Sequence, residues 1–288
     1  MMAPEYYIFI GERVPEHVTH VLIDRALKFV PARAFESHLY IEEVICHDGV
    51  EKIEEYAFYD CPRLRRVIMP GVKNIEKNAF NICLALTHIE CGKLEIIGEG
   101  GFRGCPSLNS IDLPSIKVVE DGAFNLCQNL ANAKLGKDLE SIGERAFRTC
   151  RSLERISLPL KGGVINDDGT FQECNKLNQV DLVGGVQETI AALLMEQWKN
   201  DMNEELENIN RILPNTPAGN FYDVGGKAQA MKSWIRSVRP KIVHYKAEHR
   251  RYLNVAAATL QPALPNDILF KNVLPFIELP SFTFEGEN

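Results

Sequence analysis

The chain reads as a repeat solenoid of short parallel strands with irregular turns, about seven units of 22–24 residues, followed by an α-helical C-terminal hairpin. Three observations predict it. Phenylalanine recurs at Phe35, Phe58, Phe80, Phe102, Phe124, Phe147 and Phe171, at spacings of 23, 22, 22, 22, 23 and 24 residues. Other columns of like residues keep phase with it, and a unit this short cannot bury its own apolar face unless neighbours stack on it. After Gly184 and Gly185 the period ends and apolar residues take up helical spacing.

Within each unit the columns have distinct jobs. Three residues after the anchors stand His38, Cys61, Cys83, Cys105, Cys127, Cys150 and Cys174, and six after stand Ile41, Leu64, Leu86, Leu108, Leu130, Leu153 and Leu177. Nine and eleven after come apolar pairs, from Val44/Cys46 and Val67/Met69 to Ile156/Leu158 and Val180/Leu182. That alternation has the strand period of two, so Ile156 and Leu158 point inward while Arg155 and Ser157 point outward. Pro70, Pro114 and Pro159 close their strands, because proline offers no ladder donor. A looser pair, such as Val50/Ile53 or Leu94/Ile97, leads into the next unit. Stacked strands lie about 4.8 Å apart, which sets like residues above one another.

The consensus A-F-x-x-C-x-x-L-x-x-I-x-L-P, with I-G or I-E before it, resembles the BspA-type leucine-rich repeat from about Val18 to Val183. A worn first unit lies around Val21, Ile23, Leu27 and Val30, and the asparagine-ladder position of ordinary leucine-rich repeats is missing. The resemblance implies a right-handed curved solenoid used for binding proteins or cell surfaces, with no shared catalytic activity. The resulting division is an N-terminal cap segment at 1–17, the solenoid at 18–185, a helical hairpin at 186–260 and an apolar tail at 261–288.

Six of the eight cysteines share one column, which is a packing statement before it is a redox one. The reading is buried free thiols filling a narrow turn. Disulfides and metal are the alternatives. Zinc sites want clustered ligands, whereas a 22-residue spacing gives a one-sided column. Stacked Cα atoms come within disulfide distance, but their side chains point the same way.

Function on a solenoid is expected on outward strand positions. The candidate binding residues are Glu43, Ile45, Arg66, Ile68, His88, Glu90, Asp112, Lys134, Arg155 and Asp181. They share neither one sign nor a repeated ligand, which argues against a lattice or fibre surface. Ile45 and Ile68 stand side by side, either as a small contact patch or as a surface covered by the N-terminal segment.

Beyond the repeats, residues 187–213 carry Ile190, Leu194, Trp198, Met202, Leu206, Ile209 and Leu213 at helical spacing, ending before Pro214. The segment PNTPAGNFYDVGG reads as a loop, and a second helical pattern follows from Met231 with a kink expected at Pro240. The first helix is acidic, whereas residues 227–251 carry eight basic side chains. An antiparallel hairpin with attracting rims accounts for this. An acidic external partner for the basic helix 227–251 is the other reading. The tail is expected to pack on the hairpin or to cap the last rung. Its Leu264-Pro265-x-Asp267-Ile268-Leu269 resembles the start of an F-box, which implies a ubiquitin-ligase adaptor as the alternative function, although Pro275 interrupts the helix.

A net charge of −7 argues against a general nucleic-acid binder. No apolar run reaches the roughly 18–20 residues of a membrane helix. The start, MMAPEYYIFIGERVPE, lacks the basic and apolar regions of a secretory signal, so an intracellular, cytoplasmic protein is expected. Catalytic motifs fail on inspection. His244, Glu248 and His249 miss an inverted zinc-protease spacing at Tyr245, and Gly225-Gly226-Lys227 lacks the first glycine and the hydroxyl of a phosphate loop. No catalytic residue, metal or cofactor is expected. The sequence therefore predicts a non-enzymatic interaction or scaffold protein with an unidentified protein partner.

Overall fold

The computed structural model describes residues 5–260, so the tail, including its F-box-like stretch, lies outside the described residues. In chain order the first strands are β1 (Tyr7–Phe9), β2 (His20–Ile23), β3 (Phe29–Val30), β4 (Glu43–Ile45), β5 (Lys52–Ile53), β6 (Arg66–Ile68), β7 (Asn74–Ile75) and β8 (His88–Glu90). They continue with β9 (Ile96–Ile97), β10 (Ser110–Leu113), β11 (Val118–Val119), β12 (Asn132–Leu135), β13 (Ser141–Ile142), β14 (Arg155–Pro159) and β15 (Gln179–Val183). The looser apolar pair of each unit forms the two-residue strands of a rear sheet, in unbroken order from β3 to β13. The longer strands form the front. Every pair is parallel and in repeat register, as in Val44 against Val67 and Ile53 against Ile75.

Two departures from a uniform stack stand out. Tyr7–Phe9, inside the segment read as a cap, pairs in parallel with β2 and adds a front strand. The N-terminal segment therefore extends the sheet beside Ile45 and Ile68. The front sheet is also split, with β1-β2-β4-β6-β8 separate from β10-β12-β14-β15. At the split the inward residue Cys91 stands where the neighbouring units carry Met69 and Leu113, above a small void lined by Ile89, Ile111, Phe102 and Phe124. The turns on either side still hold the rungs together, for example through Phe80 N–H to Gly101 O at 2.8 Å.

The phenylalanines form one continuous spine. Phe9 joins the seven predicted rings, centroids are 4.7–5.8 Å apart, and from Phe35 onward neighbouring planes lie within 14° of parallel. Around them the chain turns through left-handed residues two positions after each anchor, at Ser37, Asp60, Ile82, Gly104, Leu126, Thr149 and Glu173. The cysteine column lies one step further. All eight thiols are free and buried. Each thiol of the column donates to the phenylalanine carbonyl of the preceding unit, from Cys61 to Phe35 O at 3.0 Å through Cys105 to Phe80 O at 3.2 Å to Cys174 to Phe147 O at 3.0 Å. Cysteine recurs because the turn needs a small apolar filler that also carries a donor.

The expected first helix is two: α1 (Val186–Ala191) and α2 (Glu196–Ile212), with α3 (Lys227–Leu260) after them. No proline or glycine causes the break. The chain turns at Leu193–Leu194 because Leu193 is buried there and the Leu194 N–H bonds to the His249 ring at 3.2 Å. Tertiary contacts thus override the helical periodicity of that segment. Ile212 ends α2 before Pro214, and α3 passes through Pro240 without ending. The antiparallel contact of α2 and α3 is set by Trp198 stacked on Tyr245 at 5.5 Å and by Trp234 Nε1 donating to Glu205 O at 2.8 Å.

This hairpin closes the last rung. Asn210 offers its side-chain amide to the backbone of Val180 as a strand would, accepting from the N–H at 2.8 Å and donating to the C=O at 3.3 Å. Lys227, buried, donates to Leu177 O at 2.5 Å and Leu213 O at 2.8 Å. The capping role open to the tail is thus held by α2 and α3.

Candidate functional site

The strand pleat delivers all ten predicted residues to the front face, on two separate sheets. Their register gives a polar row Tyr6, His20, Glu43, Arg66, His88 beside a second row Ile8, Leu22, Ile45, Ile68, Glu90. In the first row, Glu43 accepts from the Tyr6 hydroxyl and pairs with Arg66 at 3.2 Å. The bond to Glu43, with burial, raises the Tyr6 pKa above its ordinary value. His88 and Glu90 stand exposed at the edge of the split.

Past the split the face changes character. Asp112 pairs with Lys134 at 3.7 Å, and Arg155 pairs with Asp181 at 3.4 Å while donating to Gln179 Oε1 at 2.6 Å. Such exposed pairs contribute about 0–1 kcal/mol each. They tie neighbouring rungs together and spend their charge on each other. Ser157, expected outward, is buried: its hydroxyl accepts from Leu135 N–H at 2.8 Å and donates to Leu135 O at 3.0 Å. A hydroxyl small enough to turn back onto the adjacent strand satisfies itself there.

Two features escape the sequence columns. Ile8 and Leu22 extend the pair Ile45/Ile68 into a four-residue aliphatic row, with Ile8 56% exposed. The signal was the alternation in Tyr6-Tyr-Ile-Phe-Ile10, too short to register as a strand. Phe221 and Tyr222 stand at the tip of the loop after α2, 71% and 94% exposed. Gln172 holds this tip through the carbonyls of Asn220 and Asp223.

The basic helix is largely engaged. Lys232 pairs with Asp168, Lys241 with Glu205 and Arg251 with Glu248. Lys227 is buried on carbonyls, and Arg239 and Lys246 also have partners. Lys241–Glu205 is an ion pair between the oppositely charged helices, and Lys232–Asp168 ties the basic helix to the solenoid.

A cleft of about 520 Å³ lies at the N-terminal end, lined by Val14, Arg33, Phe35, His38, Leu39 and Tyr40 among others. His38 is occupied there by Pro15 O at 3.0 Å. Among the described residues no group of three or more His, Cys, Asp or Glu could hold a metal ion, and no helix is long and apolar enough to cross a membrane. Burial pushes the Cys46 and Cys91 thiols up to about 12, the opposite of what an activated nucleophile needs.

Stacked parallel rungs with a front ladder, a rear ladder and one shared spine define a leucine-rich-repeat solenoid. The family model of the BspA type leucine-rich repeat region matches residues 28–116 and 95–196, and the chain belongs to that family. Three solved structures are similar to part of the chain. A leucine-rich cell surface protein of Faecalibacterium prausnitzii is 21% identical over 59% of this chain and 61% of its own, with a TM-score of 0.37. The leucine-rich repeat protein of T. pallidum is 22% identical over 64% and 75%, with a TM-score of 0.39. A leucine-rich-repeat protein of Bacteroides ovatus is 20% identical over 63% and 70%, with a TM-score of 0.33. This chain thus spans about three fifths of the length of the Faecalibacterium protein. No curated protein matches the chain. Membership of the family points to a protein-interaction role and to protein partners, on a fold that is typically non-enzymatic.

Proposed function

We propose that the chain is a non-enzymatic scaffold that binds a protein partner through the outward face of its front strands, on the N-terminal side of the split. One observation carries this reading: the aliphatic row Ile8, Leu22, Ile45, Ile68 runs in register across four strands and ends at the exposed His88 and Glu90. An apolar strip rimmed by polar side chains has the anatomy of an interface core and rim. The ion-paired half past the split supplies rigidity. A cytoplasmic location belongs to the same proposal, since eight free thiols suit a reducing compartment.

Affinity capture tests it with three baits: the wild type, the double variant Ile45→Asp/Ile68→Asp, and the control Lys134→Ser. Both altered positions point to solvent, so circular dichroism should match the wild type. Partners recovered by the wild type and the control but missing from the double variant support the reading. Equal recovery by all three baits overturns it.

A further inference from the structure

The anchor turns form a column with a direction. In each turn from Phe35 to Phe124, three N–H groups donate to three carbonyls of the next unit. Arg33, Phe35 and Ser37 donate to Glu55, Ala57 and Tyr59 O at 3.1, 2.8 and 2.7 Å, and Gly122, Phe124 and Leu126 to Glu144, Ala146 and Arg148 O at 2.8, 2.8 and 2.9 Å. Peptide groups stacked head to tail add their dipoles as they do in a helix, with the carbonyl end negative. The N–H end of this column is covered, since Glu173 N–H donates to Ala218 O at 2.9 Å. The carbonyl end is open. The equivalent oxygens of the first turn belong to Ala32, Ala34 and Glu36, and among the described residues no group donates to any of the three. That turn is left-handed at Arg33 and Ser37 like the turns that follow, so its carbonyls face the N-terminal end. Opposite stands the worn segment 11–16, which turns at Gly11 with φ +105° and leaves the cleft of about 520 Å³ between.

Side chains add charge of the same sign. Glu12 and Glu16 line the cleft, exposed and without an ion pair among the described residues. Of the lining arginines, Arg33 is bound to Glu36 at 2.7 Å and lies over the Tyr56 ring, and Arg13 is exposed and bonds none of the three oxygens. Leu39 and Tyr40, 54% and 41% exposed, form an apolar lip. We propose that this cleft binds a basic peptide segment of a partner protein, with one lysine or arginine side chain entering between the turns to supply the missing donors. Those side chains carry donors and no acceptor, which matches a wall of carbonyls and carboxylates. Their apolar stems and neighbouring residues would lie on Leu39 and Tyr40. The site belongs to the end of the turn column and not to the front strands, so it stands or falls apart from partner capture by the face.

Amide NMR spectra of the full chain, titrated with the blocked tripeptides Leu-Arg-Leu and Leu-Glu-Leu, test this. The arginine peptide should shift the amides of residues 33–40 and saturate with Kd on the order of 0.1–1 mM at low salt, and the glutamate peptide should not. Glu12→Gln/Glu16→Gln should raise Kd at least about threefold, the scale of two solvent-exposed ion pairs. Leu39→Lys places a competing ammonium at the lip and should abolish binding. Glu204→Gln/Glu207→Gln on α2 should leave Kd unchanged, which separates the cleft from general attraction to acidic surface. Melting curves that match the wild type show that the variants, all at exposed positions, are folded. An equal response to both peptides, shifts centred on α2, or no saturation up to about 10 mM overturns the proposal. So does a Kd indifferent to both Glu12→Gln/Glu16→Gln and Leu39→Lys.

Discussion

Cys105 and Cys150 occupy the same column, both fully buried, yet the structure predicts different costs for truncating them. The Cys105 thiol donates to Phe80 O at 3.2 Å, and among the described residues that carbonyl has no other donor. The Cys150 thiol donates to Phe124 O at 3.1 Å, but that oxygen also accepts the Cys127 N–H at 3.1 Å. Cys→Ala removes a sulfur of roughly methylene size from either site, costing about 1 kcal/mol plus a small cavity contribution. At position 105 it also strands a buried carbonyl, which costs about 1–3 kcal/mol more. Cys105→Ala should therefore cost about 2–4 kcal/mol and Cys150→Ala about 1–2 kcal/mol. Urea unfolding of the full chain, followed by far-ultraviolet circular dichroism, measures both, provided the m-values agree with the wild type. Equal losses to within about 0.5 kcal/mol, or the reverse order, would refute the claim that the thiol is retained as a donor as well as a filler.

Two further predictions concern the split and the cap. The amide of Asp112 faces β8 across the split without a ladder, whereas the equivalent amide of Lys134 is paired to β10. Hydrogen exchange resolved by residue should find Asp112 fast and Lys134 slow, and equal protection would mean that the front sheet is continuous in solution. Lys227→Met strands the carbonyls of Leu177 and Leu213 and should destabilise the chain by roughly 1–3 kcal/mol. Burial holds the Lys227 pKa below its ordinary 10.5. The folded chain then binds fewer protons than the unfolded chain between that lowered value and 10.5, so this residue's contribution to stability rises with pH across the window. The deficit of the Met variant should widen from neutral pH to 10.5, and a deficit that narrows would contradict the buried, desolvated ammonium.

What the sequence made legible was whatever repeats. Seven phenylalanines in phase located the spine, and the period-two pairs after them located both the inward residues and the outward candidates, because stacking copies each unit's geometry onto the next. Features made once had no column to reveal them. Phe9 reaches the spine from a front strand, a different route from the other seven, so no offset pointed to it. Helix periodicity joined residues 187–213, but the Leu194–His249 contact that breaks them apart links positions 55 residues distant. Ser157 was misplaced because its alternation holds and its hydroxyl nevertheless turns back onto Leu135. The candidate face was legible residue by residue. Its division into halves was not, since Cys46 holds the same column as Cys91 yet its strand pairs in full with the next.

That division has a consequence for how the molecule is organised along its axis. The hairpin is bonded to the final rungs through Val180, Leu177 and Asp168, so stress applied to α2 or α3 enters the ion-paired sheet β10–β15. It reaches the aliphatic half only through the rear sheet and the turns, because the front ladder is interrupted. A continuous rear ladder stands opposite an interrupted front one, with the phenylalanine stack between them. The ring pair at the split, Phe80 to Phe102, stays 5.1 Å apart and 9° from parallel, as close as pairs in the intact rungs. The spine and the turn bonds beside it, such as Ile82 N–H to Arg103 O at 2.8 Å, therefore carry the join where the front ladder does not.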